Sequence, residues 1–576
     1  MQGQQRMAAS VSPKDRIWSR REIEGLIAGG RKIIILDGQV IKADSWIPYH
    51  PGGDKAILHM VGRDGTDEIR ALHCPETLAY MQKYVVGRIE GRWVNFLPPI
   101  QGGHFRPYIP GQEEDRDVDS AMDDAQSSSS SSSSTAPPSP VFDPADLSST
   151  RHRSGTSSVS SLSEHEHEAE TQNAKAADPI ETKLNAEKSS DLLKYPPLNL
   201  HSQDRIVTKY RELDARIRAA GLYDCPYGAY GIECCRYTLL FIGFLVCLHY
   251  SHYALSGLFL GMFWHQLVFT AHDSGHMGVT HNFHVDTVIG IIIADYLGGL
   301  SLGWWKRNHN VHHIVTNSPE HDPDIEHIPF FAISPRFFSS LRSTYYDRVM
   351  HFDAVAKWAV SKQHWLYYPI LTFGRFNLYR LSWEYLFLGQ APKKGPAWWH
   401  RWFEILGQVF FWTWFGYGVV YKSIPTAWDR FVFVMISHMV TAPLHVQITL
   451  SHFAMSTTDM GVHESFAQKM LRTTMDVDCP TWLDFFHGGL QFQAVHHLFP
   501  RIPRHNLRKA QKYVKEFCKE TGIPYAIYGF GQGNKEVIGR LGEVAKQVKV
   551  FEECRKACAR EMIEGHAHGH GHAHAE

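Results

Sequence analysis

Long apolar runs occur in the C-terminal two thirds of the chain, where they are arranged in pairs. The first pair is Tyr237–Leu248 and Tyr253–Ala271, and the second runs from about Phe403 to Tyr421 and from Phe431 to Ser451. A bilayer core about 30 Å thick needs about 20 apolar residues per helix, so each run is long enough if its flanking residues are included. We therefore predict an all-α domain with about four transmembrane helices in two hairpins.

A fifth apolar run, Val285–Trp305, contains two carboxylates, Asp286 and Asp295. An unpaired carboxylate in the middle of a bilayer is costly. This segment is therefore predicted to lie along the membrane surface or to pack against protein.

The composition outside these runs divides the chain into further regions. Residues 14–105 have the composition of a small globular domain, whereas 111–197 are polar and rich in Ser and Pro. Such a segment buries too little apolar area to offset its ordering entropy, so 111–197 are predicted to be a disordered linker. The membrane domain is then expected over 205–545, and a C-terminal helix with a His-rich tail over 546–576.

The distribution of charge predicts the orientation of the chain in the membrane. Lys and Arg cluster before the first apolar run and after the last, whereas both hairpin tips are short and poor in basic residues, which places the N- and C-termini in the cytosol. Residues 1–31 do not resemble a secretory signal, so internal segments would insert the protein. A formal net charge of −1 gives no reason to expect a nucleic-acid partner.

Two histidines of the N-terminal region lie in a context that suits a flat cofactor. His50 stands in the run Trp46-Ile-Pro-Tyr-His-Pro-Gly-Gly53, where proline and glycines allow a tight turn and close backbone approach. His73 follows a polar stretch with helical spacing, so it would approach from another element. Two imidazoles on opposite faces can fill both axial positions of a haem iron, although two surface histidines are the simpler alternative.

Over residues 14–100 this region resembles cytochrome b5, and the His-Pro-Gly-Gly sequence carries the resemblance. The resemblance implies a small α+β domain that binds haem b with His50 and His73 as the axial ligands. Because both axial positions would be filled, such an iron transfers electrons rather than activating oxygen.

Three histidine clusters lie at the edges of the apolar runs. The residues within each cluster have a spacing of three or four, which places their imidazoles on one helical face. Because one hairpin separates the second cluster from the third, all three are expected on the cytosolic side. The clusters are His272 and His276, then His309, His312 and His313, and finally Gln493 with His496 and His497.

Convergent histidines beside a bilayer are what a multinuclear metal site requires. Imidazole binds iron, zinc, copper and nickel, so the ligand type alone leaves the metal open. A tethered one-electron haem donor indicates redox turnover, and two irons together can activate O₂ to remove hydrogen from an unactivated methylene. We therefore predict a cytosolic, histidine-rich di-iron cap on the membrane domain.

The three clusters resemble the histidine boxes of membrane fatty-acyl desaturases over about residues 205–535. Gln493, at a position where many desaturases have histidine, is similar to the front-end subgroup, which also carries fused cytochrome b5 domains. The resemblance implies that the seven box histidines are iron ligands and that Gln493 is a ligand or supports one. It also implies that His452, at the cytosolic end of the last apolar run, completes the iron shell. His438 and His445 are expected to be packing residues.

Two other histidine-containing segments allow a simpler interpretation. The sequence His321-Asp-Pro-Asp324 either orients metal ligands or forms a turn. The alternating histidines His566–His574 can bind stray zinc or nickel but are expected to be inessential for catalysis.

The sequences His50–Arg63 and Phe492–Arg501 resemble those of fungal sphingolipid delta-8 desaturases. The resemblance implies O₂-dependent introduction of a double bond into the long-chain base of a ceramide in the endoplasmic reticulum membrane. Electrons would pass from NADH through cytochrome b5 reductase to the haem and then to the irons.

Three other functions remain open from the sequence. A delta-5 or delta-6 front-end desaturase of polyunsaturated acyl chains would share every motif. A sphingolipid fatty-acid hydroxylase also joins a cytochrome b5 domain to histidine boxes, but its chain is usually much shorter. A zinc transporter would use the His-rich tail, but the apolar runs are nearly free of carboxylates and His50 and His73 would be unexplained.

Overall fold

The computed structural model describes residues 13–96 and 179–569. These residues form two compact units. In the described part of the chain the smaller unit comprises 13–46, 57–66 and 76–96. The larger unit comprises 47–56, 67–75 and 179–569. The segments that carry His50 and His73 therefore group with the larger unit.

The smaller unit is built on a four-stranded sheet. Consecutive β-branched residues favour the strands. The order across the sheet is β1-β4-β3-β2, with β1 and β4 parallel and the other pairs antiparallel. One sheet face packs against the helix Arg20–Ala28 (α1), which begins with a capping box between Ser19 and Glu22. The strands are Ile17–Trp18 (β1), Ile33–Leu36 (β2), Gln39–Lys42 (β3) and Val85–Ile89 (β4).

Three short helices complete the N-terminal region between the third and fourth strands. They are Asp54–Leu58 (α2), Thr66–Leu72 (α3) and Pro75–Met81 (α4). Helices and strands in this small region confirm the α+β fold class that the sequence predicts.

The larger unit is mostly helical and contains the membrane helices. The helices Tyr227–His249 and Tyr253–Gly275 form the first predicted hairpin, and Ala427–Phe453 corresponds to the last predicted span. In the described residues these three helices are long and apolar enough to cross a bilayer, and a bent pair raises the number to four if it counts as one span. Large side chains such as Leu239, Ile242 and Leu245 are exposed, as is expected for a surface that faces lipid.

The bent pair is the segment whose location the sequence left open. Phe283–Ile291 continues with π-helical geometry to Leu297, and Leu302–Val315 follows at an angle of 117°. Both carboxylates of the segment are buried and hydrogen-bonded: Asp286 accepts from Thr280 and His281, and Asp295 accepts from Gln408 and the Leu302 amide. The segment thus packs against protein, which removes the cost of an unpaired carboxylate.

Two other predicted spans differ in detail from the helices that the structure contains. The run from Phe403 to Tyr421 is an α-helix, His400–Phe411, that continues as a π-helix, Trp412–Ser423. The last span is interrupted at Val440 and Thr441, so Ala427–Met439 and Ala442–Phe453 are separate helices. His438 and His445 therefore lie on two separate helices.

The predicted disordered linker extends too far towards the C-terminus. Pro179–Lys194, assigned to that linker, forms a helix whose Ile180 is buried in a core cluster. Arg540 donates two hydrogen bonds to Glu187 at 2.7 and 3.2 Å, so the helix is tied to the C-terminal helix. Residues 111–178 of the predicted linker lie outside the described residues.

The C-terminal helix, Phe530–Gly569, begins earlier than the boundary at residue 546 that the sequence predicts. Val537, Leu541 and Val544 are fully buried in the same core cluster as Phe453 and Tyr367. The helix is thus part of the packed domain over its first half. His570 and the rest of the tail lie outside the described residues.

The remaining secondary structure connects these parts. The helices are Leu200–Ala219, Ala354–Val360, Gln363–Thr372, Gly374–Phe387, Phe466–Thr473, Asp484–His487, Gln493–Leu498 and Arg504–Thr521. The strands are the antiparallel pair Arg342–Ser343 (β5) and Arg348–Val349 (β6), and the parallel pair Asp476–Asp478 (β7) and Ile527–Gly529 (β8).

Candidate metal centre

Four separate elements deliver the box histidines to one place. His272 and His276 lie at the C-terminal end of the helix Tyr253–Gly275, and the second box lies in the C-terminal half of Leu302–Val315. The third box is carried by the short helix Gln493–Leu498, and His452 lies at the end of Ala442–Phe453. Residues more than two hundred positions apart therefore meet in one cluster.

The histidines form two groups with the geometry of metal sites. The nitrogen atoms within each group all lie within 4.8 Å of one another, which is the separation that ligands around a common ion require. An all-imidazole donor set fits a redox metal such as iron. The first group is His272, His276, His309 and His496, and the second is His312, His452 and His497.

His313 lies between the two groups and joins them. Its ring stacks on His497 at 4.3 Å and lies 4.9 Å from the rings of His276 and His496. Its Nε2 is 3.1 Å from Nε2 of His309. The two groups are therefore neighbours, as a two-metal centre needs.

Burial favours the neutral form of the third-box imidazoles, which is the state that binds metal. The pKa values of His496 and His497 lie well below the ordinary value, first because both side chains are buried and then because of the charges of neighbouring histidines. Nε2 of both residues has no hydrogen-bond partner in the described part of the chain. Two buried lone pairs that point into a cluster of imidazoles fit metal ligands.

One carboxylate orients the second box. Nδ1–H of His312 donates to both carboxylate oxygens of Asp322, at 3.0 and 2.9 Å, and Asp322 is fully buried. This bond fixes the tautomer and leaves Nε2 free for a metal. Of the two alternatives for the segment 321–324, ligand orientation therefore applies to Asp322, whereas Nδ1 of His321 bonds the Thr344 hydroxyl.

A buried arginine supports the first box. Arg504 pairs with Asp273, which lies between the two histidines of that box, and with Glu233 of the first membrane helix. All three side chains are more than nine-tenths buried. The sequence analysis missed this cluster, although a carboxylate inside the first box and another in the first apolar helix were visible signals.

A buried aspartate supports the third box. Asp476 accepts a hydrogen bond from the backbone N–H of Ala494 at 2.8 Å, and its other oxygen accepts from Gln511 and Tyr525. It therefore anchors the first turn of the helix that carries His496 and His497. Nothing in the local sequence distinguishes Asp476 from the exposed Asp478.

Trp305 packs against one side of the first group. Its ring stacks on His309 at 4.5 Å and lies 5.2 Å from the rings of His272 and His276. Gly275 makes this contact possible, because a Cβ at that position would come within 2.1 Å of the Trp305 ring. An aromatic wall thus limits the movement of three imidazoles and excludes water from them.

His50 and His73 face one another in the segments 47–56 and 67–75. Their ring centroids are 6.1 Å apart, a separation that fits one iron between two imidazoles with metal–nitrogen distances of about 2 Å. Nδ1–H of His50 donates to the Gly53 carbonyl at 2.7 Å, and Nδ1–H of His73 donates to the Ile69 carbonyl at 2.9 Å, which makes Nε2 the potential ligand atom of each ring. Burial lowers the pKa of His73 to about 4, which favours the neutral ligand.

The three remaining candidates, Gln493, His438 and His445, are all buried. Gln493 is buried at the first position of the third-box helix, and its role as a ligand or a supporting residue stays a prediction. His438 is a packing residue: its ring stacks on Phe376 at 4.5 Å, and it bonds the Tyr379 hydroxyl. His445 is buried outside both histidine groups.

Two family models match the chain. Residues 19–90 match the cytochrome b5-like haem/steroid binding domain, and residues 248–529 match fatty acid desaturase. These matches agree with the positions of the paired histidines and of the histidine clusters. The first match covers most of residues 13–96, and the second covers most of residues 179–569.

Curated relatives match nearly the whole chain. A "Delta 8-(E)-sphingolipid desaturase" of Emericella nidulans is 62% identical, covering 95% of this chain and 98% of the relative. Proteins of the same name from Lachancea kluyveri and Candida albicans are 48% and 47% identical, each over 95% of this chain and covering 96% and 98% of the relatives. The likeness therefore extends through both domains.

Proposed function

We propose, from the premise that the chain belongs to the fatty acid desaturase family and carries a cytochrome b5 domain, that it desaturates the long-chain base of a sphingolipid at carbon 8. The observation that carries the proposal is the convergence of seven histidines into two adjacent groups beside membrane helices. The names of the fungal relatives supply the substrate, the position and the E geometry of the double bond. The reaction removes two hydrogens from the substrate and consumes O₂, two electrons and two protons, with release of two waters.

The ligand set follows from the geometry of the two groups. We assign one iron to His272, His276, His309 and His496, and the second to His312, His452 and His497, with His313 between them. Two bound irons would supply the oxygen activation that this reaction needs. The protein contributes buried imidazoles, the Asp322 carboxylate that holds His312, and the Trp305 wall that excludes water.

The fused domain supplies the electrons. His50 and His73 would bind haem b, and a bis-imidazole iron cycles between two oxidation states without an open coordination position. We infer that NADH-cytochrome b5 reductase reduces this haem. Endoplasmic reticulum localisation with cytosolic termini is part of the same proposal, because the reductase and both metal sites must then be on one side of the membrane.

Expression in a yeast strain that lacks delta-8 long-chain bases tests the function. Mass spectrometry of the lipids should show a delta-8 double bond in the long-chain base with the intact chain, and none with His497→Ala. The His497→Ala protein should keep the visible spectrum of a low-spin haem, because the haem ligands lie elsewhere. Unsaturation confined to the fatty acyl chains would contradict the sphingolipid substrate and favour a delta-5 or delta-6 desaturase.

Testing the role of the fused haem requires a host without its own cytochrome b5. There His50→Ala should abolish both the low-spin spectrum and desaturation, whereas His281→Ala, a histidine that bonds backbone carbonyls, should keep the spectrum. Full activity of the His50→Ala chain in that host would show that the fused haem is not the electron route.

A further inference from the structure

Three buried polar side chains lie about two helical turns from the metal centre. His265 precedes His272 by seven residues on one helix, and His445 precedes His452 by seven residues on another. At 1.5 Å per residue, both lie about 10 Å along their helices from a proposed iron ligand. Gln447 is on the same helix as His445, and none of the three is more than 8% exposed.

Each of these side chains has a polar atom without a partner in the described part of the chain. Nε2–H of His265 donates to the Phe486 carbonyl at 3.0 Å, which makes its Nδ1 an acceptor, and this atom is unpaired. Oε1 of Gln447 accepts from Nδ1–H of His487 at 3.0 Å, and its Nε2, a donor, is unpaired. Nε2 of His445 is also unpaired.

The unpaired atoms belong to one neighbourhood. His265 donates to the carbonyl of Phe486, and the adjacent His487 is bonded to Gln447, two residues from His445 on the same helix. Buried polar atoms without partners are costly, so native proteins keep them where a ligand or water satisfies them. A cluster that includes one fixed donor and one fixed acceptor therefore indicates a polar ligand.

The cluster also adjoins an exposed aromatic segment. The backbone of Phe485 and Phe486 accepts hydrogen bonds from Gln266 and His265, so the segment around residues 482–487 lies beside this level of the helix. Trp482 is 70% exposed and Phe485 is 44% exposed. The cluster therefore lies within membrane helices and close to an exposed apolar surface.

We propose that His265, His445 and Gln447 bind the polar end of the long-chain base and thereby set the position of the double bond. The inference rests on the proposed function and names the part of the substrate that the site recognises. The amide and hydroxyl groups of a ceramide supply a donor for His265 and an acceptor for Gln447. An acyl ester supplies acceptors alone, so it would leave Nδ1 of His265 unpaired.

The distances agree with reaction at carbon 8. The amide-bearing carbon of a long-chain base is six bonds from carbon 8, which an extended chain spans in about 7 Å. The helical rise to the proposed iron ligands is about 10 Å from His265 and His445 and about 8 Å from Gln447, which is comparable with this length. Binding the polar end here would place carbons 8 and 9 beside the irons.

The test replaces the donor of Gln447 by an apolar group of similar length. Membranes from the yeast strain carrying Gln447→Met should show an apparent KM for ceramide that is about 3- to 10-fold higher, and double bonds at positions other than carbon 8. The matched control is Gln266→Met, because Gln266 is equally buried but both ends of its amide are paired, with Arg236 and Phe485. The control should keep the KM and the product position.

The outcomes separate this inference from the proposed function. If Gln447→Met and Gln266→Met have the same KM and give only the delta-8 product, the recognition site is refuted while the function stands. Absence of any delta-8 base with the intact chain refutes the function itself. If Gln447→Met does not accumulate, the intact chain is tested with a ceramide methylated at its amide nitrogen and hydroxyls. A KM equal to that of the unmodified ceramide refutes the inference, and a higher KM supports it.

Discussion

Asp322 acts at the scale of a single residue, because its two oxygens hold one imidazole of the metal centre. We expect Asp322→Asn to lower the iron content or the desaturation rate by about 10- to 100-fold, since the neutral amide no longer fixes the tautomer of His312. The visible haem spectrum should not change. Asp459→Asn, at an exposed carboxylate, is the control and should have wild-type iron content. Equal iron content and rate in the two variants would show that Asp322 is not needed for ligation.

The residues that could be predicted from the sequence are those whose spacing is local. His309, His312 and His313 lie on one turn of one helix, and helical periodicity alone puts them on one face. Asp476 and Arg504 could not be predicted, because their partners are distant in sequence: Arg504 meets Asp273 across more than two hundred residues. Their carboxylate and guanidinium groups resemble any surface charge until the fold buries them.

At the scale of elements, the third-box helix depends on one buried carboxylate that titrates near neutral pH. Burial raises the pKa of Asp476 to about 6 from its ordinary value of 3.8, in spite of the hydrogen bonds that it accepts. Because the folded-state pKa is the higher one, the stabilising contribution is complete below pH 4 and is lost as the pH rises through 6. The loss is on the order of 3 kcal/mol at most.

Asp476→Asn should therefore reduce the difference in unfolding temperature between pH 5 and pH 8. The asparagine can still accept from Ala494, so the folded protein should remain at both pH values. Thermal unfolding in detergent, followed by tryptophan fluorescence, measures the effect, with Asp478→Asn as the exposed control. A pH dependence as large in Asp476→Asn as in the control would contradict the assignment.

The helix Pro179–Lys194 changes the expected effect of shortening the linker. Deleting 179–194 should lower the free energy of unfolding by about 1–3 kcal/mol, because Ile180 and the Glu187–Arg540 pair are lost from the core. Deleting Ser127–Pro140, which lies outside the described residues, should have little effect on turnover. The measurement compares unfolding temperature and NADH-driven desaturation of the two deletions. Equal loss of stability in both would contradict a packing role for the helix.

The bent segment could be predicted in part. Its two carboxylates correctly indicated that it packs against protein, but the angle of 117° between its helices depends on partners elsewhere. Asp295 bonds Gln408 of a helix more than one hundred residues away. Likewise, the helix Pro179–Lys194 follows a Ser/Pro-rich segment, and for this reason its composition was assigned to the linker. Its packing partner, the C-terminal helix, is distant in sequence.

At the scale of the whole molecule, the two-part organisation and the position of the metal groups beside the membrane helices followed from composition and periodicity. The sequence did not show that the C-terminal helix from Phe530 belongs to the core of the membrane domain. The reason is physical: its buried residues Val537, Leu541 and Val544 form an ordinary amphipathic face, whose partner is determined by the tertiary fold.

The position of the third box means that the candidate metal centre can be completed only late in the synthesis of the chain. Roughly 225 residues separate His272 from His497, and the core cluster around the cage also needs residues up to Val548. At about 5–20 residues per second, a ribosome completes the last ligands about 10–45 seconds after the first box has been made. During that interval the first two boxes are open imidazole sites at the membrane surface, accessible to any cytosolic metal. The metal that binds once the C-terminal residues have been made therefore determines whether the folded enzyme is active.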